Sequence, residues 1–166
     1  GGQITVSGTT ILATNTSAIY PYGHPRTGAT IIFNLRDLVL AATNAIIDAS
    51  GRGYSIVGTN YYGPGTPTST GLGGSYGGLG GDIRYTRPVY GFPYAPFWCG
   101  SPGRISTTNM GMGGGAILIR ARNVSLEGRL FADGSNNTAY TYGAGSGGSI
   151  WILCSNFWAG SAAKIS

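Results

Sequence analysis

Carboxylates are the first side chains in this sequence that could do chemistry, because a pair of acids on one face can cleave a glycosidic bond. The chain has only five acids, Asp37, Asp48, Asp82, Glu127 and Asp133, and they are scattered singly. Asp48 lies in one repeat unit, and its possible partners Glu127 and Asp133 lie in another, so only a pair formed between units could act as acid and base. Calcium sites need clustered acids, so a calcium site is not expected either. The carboxylates favour a protein that is not an enzyme.

Histidine and cysteine give no metal site. His24 is the sole histidine and the chain has no Cys-x-x-Cys motif, so we expect neither a metal nor any other cofactor. Cys99 and Cys154 are the only cysteines. Two interpretations stay open for them. They could form a disulfide that joins the aromatic insertion to the last repeat unit. Alternatively, Cys154 is simply a small buried residue, since it aligns with Ala121 and Leu35.

Three Asn-x-Ser/Thr triplets could accept N-linked glycans, at Asn15, Asn123 and Asn136. Each falls at a predicted turn or loop, and Asn136 is the best placed. Triplets of this kind also arise by chance in sequence rich in Ser, Thr and Asn. The sequence therefore predicts a glycoprotein only if the chain passes through a eukaryotic secretory pathway.

Aromatic side chains form a cluster on a proline-rich segment, and they could contact a second copy of the chain or stack on sugar rings. The predicted interface or sugar-stacking residues are Tyr85, Tyr90, Phe92, Tyr94, Phe97 and Trp98. Both uses stay open, because Tyr and Trp present an apolar ring with a polar tip in either case.

Basic side chains are spread along the chain, which carries ten Lys and Arg and a net charge of +5. No basic run indicates a nucleic-acid partner. Arg120, Arg122 and Arg129 occupy outward positions in one unit. They are either solvated charges that discourage unwanted strand pairing or a weak site for an anionic glycan.

Composition indicates one folded domain over residues 1–166. Charged residues make up only 9% of the chain, Gly supplies 31 residues, and 42% of the residues are hydrophobic, which is enough to form a core. No apolar stretch reaches the roughly 18 residues of a membrane-spanning helix. No signal peptide precedes Gly1, and a strand-like pattern is still running at Ile165. We therefore expect a mature piece of a longer secreted or cell-surface protein.

A repeat decides the predicted fold. An ungapped match of the first unit to the second aligns Ile4 with Ile31 and Ile11 with Leu38. Two further ungapped matches align Ile31 with Ile117 and Ile117 with Ile150, so the unit occurs four times. Within each unit apolar residues alternate with polar ones, as in half-buried strands.

Units this short cannot bury a face alone, so we expect them to stack. Because parallel crossovers are almost always right-handed, the repeat predicts an all-β, right-handed parallel β-helix, or β-solenoid. Its rungs are predicted near residues 3–20, 29–51, 113–134 and 147–166.

A Gly/Pro/aromatic insertion of about residues 52–111 separates the second rung from the third. It is either a flexible linker or, as we favour, a loop pressed against the solenoid with Leu72, Tyr76 and Leu79 as anchors.

The glycine runs of the chain carry a resemblance. They are Gly-Gly-Ser-Tyr-Gly-Gly-Leu-Gly-Gly at 73–81, Gly-Gly-Gly-Ala-Ile-Leu-Ile at 113–119, Leu-Glu-Gly-Arg-Leu-Phe-Ala-Asp-Gly at 126–134 and Gly-Ser-Gly-Gly-Ser-Ile-Trp-Ile at 145–152. This pattern, over roughly residues 25–166, resembles the glycine-rich repeats of very large secreted or surface proteins of protists and microbes. The resemblance implies a surface location and a β-helical fold, and it transfers no active site. The chain departs from the pattern at Tyr76, where histidine is the expected residue.

These observations lead to one functional expectation and two alternatives. We expect a non-enzymatic extracellular structural protein that self-associates into a surface filament, fibre or matrix through stacked strands and aromatic contacts. A carbohydrate-binding adhesin module, with glycans as partners, is the first alternative. A β-helix enzyme that degrades polysaccharide is the second.

Overall fold

The chain is built from β-strands. The computed structural model describes residues 2–81, 87–104, 111–136 and 143–166. Its strands are β1 (Gln3–Leu12), β2 (Ala18–Ile19), β3 (Ile32–Leu40), β4 (Ile46–Asp48), β5 (Ile56–Val57), β6 (Asn60–Tyr61), β7 (Ala116–Leu126), β8 (Arg129–Phe131), β9 (Ser149–Ala159) and β10 (Lys164–Ile165). These ranges hold no helix with the length and apolar character needed to cross a membrane.

The strands form two parallel sheets and one small hairpin. The long-strand sheet has the order β1-β3-β7-β9, and the short-strand sheet has the order β10-β8-β4-β2. Every neighbouring pair in these two sheets is parallel. β5 and β6 pair antiparallel within the insertion. Each repeat unit thus supplies one strand to each of the two large sheets.

The predicted right-handed parallel β-helix is wrong, although the all-β class is right. Both large sheets are open, with β1 and β9 at the edges of one and β2 and β10 at the edges of the other, and they do not close into a solenoid. In the described ranges, the glycine-rich chain between the short strand of one unit and the long strand of the next adds no further parallel strand.

The strand register agrees with the repeat for three of the four long strands. Phe33 pairs with Ile119 and Leu38 pairs with Val124, as the match between the second and third units predicts. Val124 in turn pairs with Phe157, as the match between the third and fourth units predicts. The apolar alternation of β3, β7 and β9 therefore fixes their pairing correctly.

The register predicted for the first unit is wrong. Ile4 pairs with Phe33, two positions beyond Ile31, the partner that the repeat gives. A shift of two preserves the face of every side chain, so alternation alone cannot detect it. An irregularity in the middle of β1 then reduces the shift to a single position. Leu12 consequently enters the core, while Ile11 turns outward and is 58% exposed.

The main core joins the two large sheets. Its buried side chains come from both sheets and from the turn between them: Leu12, Phe33, Leu38, Leu40, Ala45, Ile47, Ala49, Ile117, Ile119, Val124, Leu126, Leu130 and Ala132. Apolar residues at one register position lie on neighbouring strands, so they form continuous columns across the sheet. Phe33 and Ile119 form the middle of one such column.

A second core lies on the other face of the long-strand sheet. Ala116 and Leu118 pack there with Tyr54 and Cys99 of the insertion. Because successive strand residues point to opposite faces, the buried run 116–119 needs cover on both sides, which explains its unbroken apolar sequence. The insertion supplies that cover, in agreement with a loop pressed against the sheet. Leu79 is no anchor, since it is 57% exposed.

Glycine-rich segments outside the strands pair with one another through their backbones. We call this set the glycine layer; it comprises residues 51–54, 63–66, 71–75, 99–104, 111–115 and 143–148. Gly53 N donates to Gly113 O at 2.8 Å, and Gly100 N donates to Gly114 O at 2.8 Å. A methyl group on Gly113 would overlap the carbonyl oxygen of Gly100. The layer therefore requires glycine because the backbones approach too closely for any side chain.

We predict that Gly113→Ala destabilises the fold by about 1–3 kcal/mol, the usual cost of overpacking. Gly77→Ala is the matched control, since nothing lies within 4 Å of a methyl group at that position. Urea unfolding of both variants measures the difference. Equal losses of stability in the two variants would contradict the close approach of the backbones.

Candidate functional site

A row of polar side chains crosses the long-strand sheet at one register position. Thr9, Asp37, Asn123 and Asn156 are aligned on β1, β3, β7 and β9. Asn156 Nδ2 donates to Asn123 Oδ1 at 2.8 Å, and Asn123 Nδ2 donates to Asp37 Oδ1 at 2.5 Å. Thr9 Oγ1 donates to Asp37 Oδ2 at 3.2 Å. We call these four residues the polar ladder, and its hydrogen bonds hold the four strands in register.

The charge of the polar ladder lies on Asp37. Arg36 Nε donates to Asp37 Oδ2 at 2.8 Å. This hydrogen bond is the main cause that lowers the pKa of Asp37, and the amide of Asn123 lowers it further. Arg36 and, to a smaller extent, Asn123 therefore hold the carboxylate ionised, which indicates a structural role.

We predict that Asp37 makes the fold sensitive to acid. Its folded-state pKa lies below the unfolded value of about 3.9, so its stabilising contribution is present above about pH 4 and is lost as the pH falls through the folded pKa. Melting curves between about pH 5 and about pH 2.5 should show that acidification lowers the melting temperature of Asp37→Asn less than that of the parent chain.

The control for that measurement is Thr9→Val, which removes a neutral partner and leaves the pair between Arg36 and the carboxylate. It should retain most of the acid dependence. If Asp37→Asn and the parent chain lose the same stability on acidification, Asp37 does not carry the effect.

Five of the six predicted aromatic residues are described, and these five do not form one surface. Tyr85 lies outside the described residues. Phe92 and Tyr94 are exposed, Tyr94 to 96%, at a turn closed by a bridge between Phe92 and Ala95. Tyr90 is partly buried, its hydroxyl donates to Cys99 O at 2.6 Å, and burial raises its pKa. Tyr90 is therefore a packing residue.

Phe97 and Trp98 instead join a chain of aromatic rings that leads to the long-strand sheet. Their rings are stacked with centroids 5.6 Å apart, and Phe97 lies 6.4 Å from the ring of Trp151 on β9. At the other end, Tyr76 contacts Tyr90 edge-on at 4.9 Å, and Tyr90 contacts Trp98 at 6.2 Å. The aromatic cluster of the sequence omits Trp151, whose outward position in the strand pattern is the signal that could have identified it.

A groove lies where Phe97 and Trp98 face the outer side of the long-strand sheet. We call it the aromatic groove; it has a volume of about 520 Å³. Its apolar lining includes Phe97, Trp98, Ile32, Leu118, Trp151 and Leu153. Gln3, Thr27 and Arg120 add polar groups to the same lining. An apolar cavity with a few polar groups and a volume of about 300–1,000 Å³ is typical of ligand sites.

The three arginines expected at outward positions of one unit are divided between two sheets. Arg120 and Arg122 lie two residues apart on β7, and both are exposed. Arg129 lies on β8 of the short-strand sheet, where it pairs in register with Lys164 and Ile46. In the described residues, no carboxylate forms a salt bridge with Arg120 or Arg122.

Both cysteines are free in the structure. Cys99 is buried where the insertion packs on the long-strand sheet, and its Sγ donates to Gly28 O at 3.3 Å. Burial raises the pKa of the Cys99 thiol to about 11. Cys154 is partly buried on β9 and pairs in register with Ala121, in keeping with the apolar alignment of the repeat.

We predict that Cys154 reacts with iodoacetamide faster than Cys99 in the folded protein at about pH 8. The thiolate is the reactive form, and burial with a raised pKa keeps Cys99 protonated and covered. Mass spectrometry of the alkylated peptides gives both rates, and Cys154→Ser isolates the slow site. If instead neither cysteine is alkylated until a reductant is added, the two cysteines form a disulfide.

The three predicted glycan acceptors lie in different environments. Asn15 is exposed, although its Oδ1 accepts a hydrogen bond from Asn44 N at 3.0 Å. Asn123 is partly buried in β7, where both ends of its amide belong to the polar ladder. Asn136 is exposed, and the rest of its triplet lies outside the described residues.

Asp48 and Asp133 also have nearby partners. Asp48 Oδ1 accepts a hydrogen bond from Ser50 N at 2.8 Å, and Arg52 lies 4.0 Å from its other oxygen. Asp133 Oδ1 accepts a hydrogen bond from Ser166 Oγ at 2.7 Å. In the described part of the chain, no three His, Cys, Asp or Glu side chains are grouped so that they could hold a metal ion.

Edge strands distinguish this protein from a usual open-sheet protein. β1 and β9, the two edges of the long-strand sheet, are ten and eleven residues long, and neither contains a charged residue. The central strands β3 and β7 carry four charged residues between them: Arg36, Asp37, Arg120 and Arg122. Large apolar side chains are exposed on both edges, including Ile4, Phe157 and Trp158.

Comparison with known proteins finds no match: no family model, no curated protein and no solved structure corresponds to this chain.

Proposed function

We propose that this chain is a non-enzymatic extracellular structural protein whose copies assemble, edge to edge, into a filament, fibre or matrix at a cell surface. The observation that carries the proposal is the pair of long, uncharged edge strands. Folded proteins usually protect a free edge with charged residues, proline or a short strand. Here the charged residues of the long-strand sheet lie on its paired inner strands, and its two edges are left able to pair.

Exposed apolar side chains on the edges continue the columns of the main core. Ile4 on β1 is 44% exposed, and its column continues inward through Phe33 and Ile119, which are buried. Phe157 on β9 is 48% exposed and continues the column of Val124. A further strand at either edge would bury these side chains and would satisfy the free backbone groups.

The two edges differ, so their pairing would be heterologous. Strand order in both large sheets follows the chain, which places β1 and β2 on the edges at one end and β9 and β10 on the edges at the other. When β9 of one copy pairs with β1 of the next, each copy at the end of the assembly still has one free edge. The same contact can therefore be repeated. A heterologous contact that does not close produces an open filament.

The extracellular location and the non-enzymatic role are part of the same proposal, and other observations support them. The low charged fraction of the chain, 9%, and the resemblance of the glycine runs to secreted and surface proteins favour an extracellular site. Asp37, Asp48 and Asp133 each have a local hydrogen-bond partner, which favours structural roles for them.

We predict that the chain assembles with increasing concentration and that a lysine in either edge stops growth. Phe157→Lys blocks the β9 edge, and Ile4→Lys blocks the β1 edge, because each places a charge where a strand would cover it. Each variant alone should stay monomeric in analytical ultracentrifugation. An equimolar mixture should form dimers that do not grow, through the one intact edge that each variant retains.

Tyr94→Lys is the matched control, because it makes the same kind of change at an aromatic side chain that is 96% exposed and lies on neither edge. It should assemble like the parent chain. A parent chain that stays monomeric at all accessible concentrations, or two edge variants that do not combine, would refute assembly through the edges.

A further inference from the structure

We propose that the aromatic groove binds a carboxylate-bearing oligosaccharide, with Phe97 and Trp151 against the faces of the sugar rings and Arg120 paired with a carboxylate. This inference concerns the outer face of the long-strand sheet and does not require assembly. It assigns a ligand to the side of the molecule on which the insertion packs.

The shape of the groove and its aromatic lining favour a sugar chain. Phe97, Trp98 and Trp151 give the groove three rings, and Phe97 is 38% exposed. The apolar faces of sugar rings lie well on such side chains, while their hydroxyl groups need polar partners at the margin. Gln3 and Thr27 provide amide and hydroxyl groups in the same lining. An apolar groove with few polar groups combines both requirements.

The groove is also elongated, which suits a chain of sugar rings and not a compact ligand. Gln3, Ile32, Leu118 and Trp151 occupy one register position on β1, β3, β7 and β9. All four line the groove, which therefore crosses the whole sheet from edge to edge. Strands are about 4.8 Å apart, so the row spans roughly 14 Å, enough for more than one sugar ring.

Charge selects an acidic sugar. Arg120 is the one charged residue in the described lining, and no carboxylate of the described chain forms a salt bridge with it. Arg122 is exposed two residues away on the same strand and adds to the positive charge. A guanidinium binds a carboxylate through two parallel hydrogen bonds, which an ammonium group cannot reproduce.

Calorimetric titration with a trisaccharide of galacturonic acid and with its methyl ester tests the inference, at protein concentrations where the parent chain is monomeric. We expect the acid to bind and the ester to bind at least about tenfold more weakly. Arg120→Gln should weaken binding of the acid roughly tenfold to a hundredfold. Higher salt should weaken it as well, since the pair is exposed.

Arg87→Gln is the matched control, because Arg87 is exposed and lies outside the groove lining. It should bind like the parent chain. Phe97→Ala and Trp151→Ala should each reduce binding. If Trp151→Ala fails to fold, Phe97→Ala decides the point, since its ring is partly exposed in the parent structure.

Three results would overturn the inference: no binding of the acid at millimolar concentration, equal binding of the acid and the ester, or full binding by Arg120→Gln. None of them bears on assembly, because the titration is made on single chains. Failure of edge pairing would likewise leave the groove and its ligand untouched.

Discussion

Close approach of glycine backbones is the constraint on which the rest of the molecule depends. The glycine layer has few side chains to bury, so its stability must come from main-chain hydrogen bonds, such as that from Gly114 N to Ser146 O at 2.9 Å. Those bonds exist only where no side chain separates the backbones. The layer then covers the outer face of the long-strand sheet and sets Phe97 and Trp98 opposite Trp151. The aromatic groove is a consequence of this packing.

The long-strand sheet carries different chemistry on different parts of its surface. Its inner columns are apolar and join the short-strand sheet in the main core. The polar ladder interrupts these columns at one register position and ties the strands through Asp37 and Asn123. Since a hydrogen bond to a charged group is stronger than one between neutral groups, the ladder opposes slippage where alternation alone would permit it. Parallel pairing and register thus have separate physical causes.

Much of the strand architecture can be predicted from the sequence, and the errors of that prediction have clear physical origins. The alternation in β3, β7 and β9 gave their register, because polar Asp37 and Asn123 mark the same position within an apolar pattern. In β1 the corresponding residue is Thr9, which does not stand out in a Thr-rich strand, so the sequence does not reveal that Thr9 pairs with Asp37, one position beyond the partner that the repeat gives. The closed coil was wrong because alternation reports which face is buried and says nothing about whether the sheets close.

The groove was harder to predict than the sheets. Its rings come from residues far apart in the chain, Phe97 and Trp151, and only the packing of the glycine layer brings them together. The aromatic cluster in the sequence therefore does not correspond to one surface. Phe92 and Tyr94 are neighbours of Phe97 in the chain, yet they are exposed at a separate turn. A cluster in sequence predicts a surface only when a regular element fixes the direction of its side chains.

Edge pairing and the groove are independent proposals, and one geometric fact connects them. The groove follows a register row that runs from Gln3 on β1 to Trp151 on β9. Pairing of β9 with the β1 of the next copy in the same register would set Trp151 beside the next Gln3 and extend the row from copy to copy. A long acidic polysaccharide could then contact many copies at once, and weak single sites would combine into strong attachment. A protein whose long edge strands are uncharged and whose groove carries an arginine would in this way couple its own growth to adhesion.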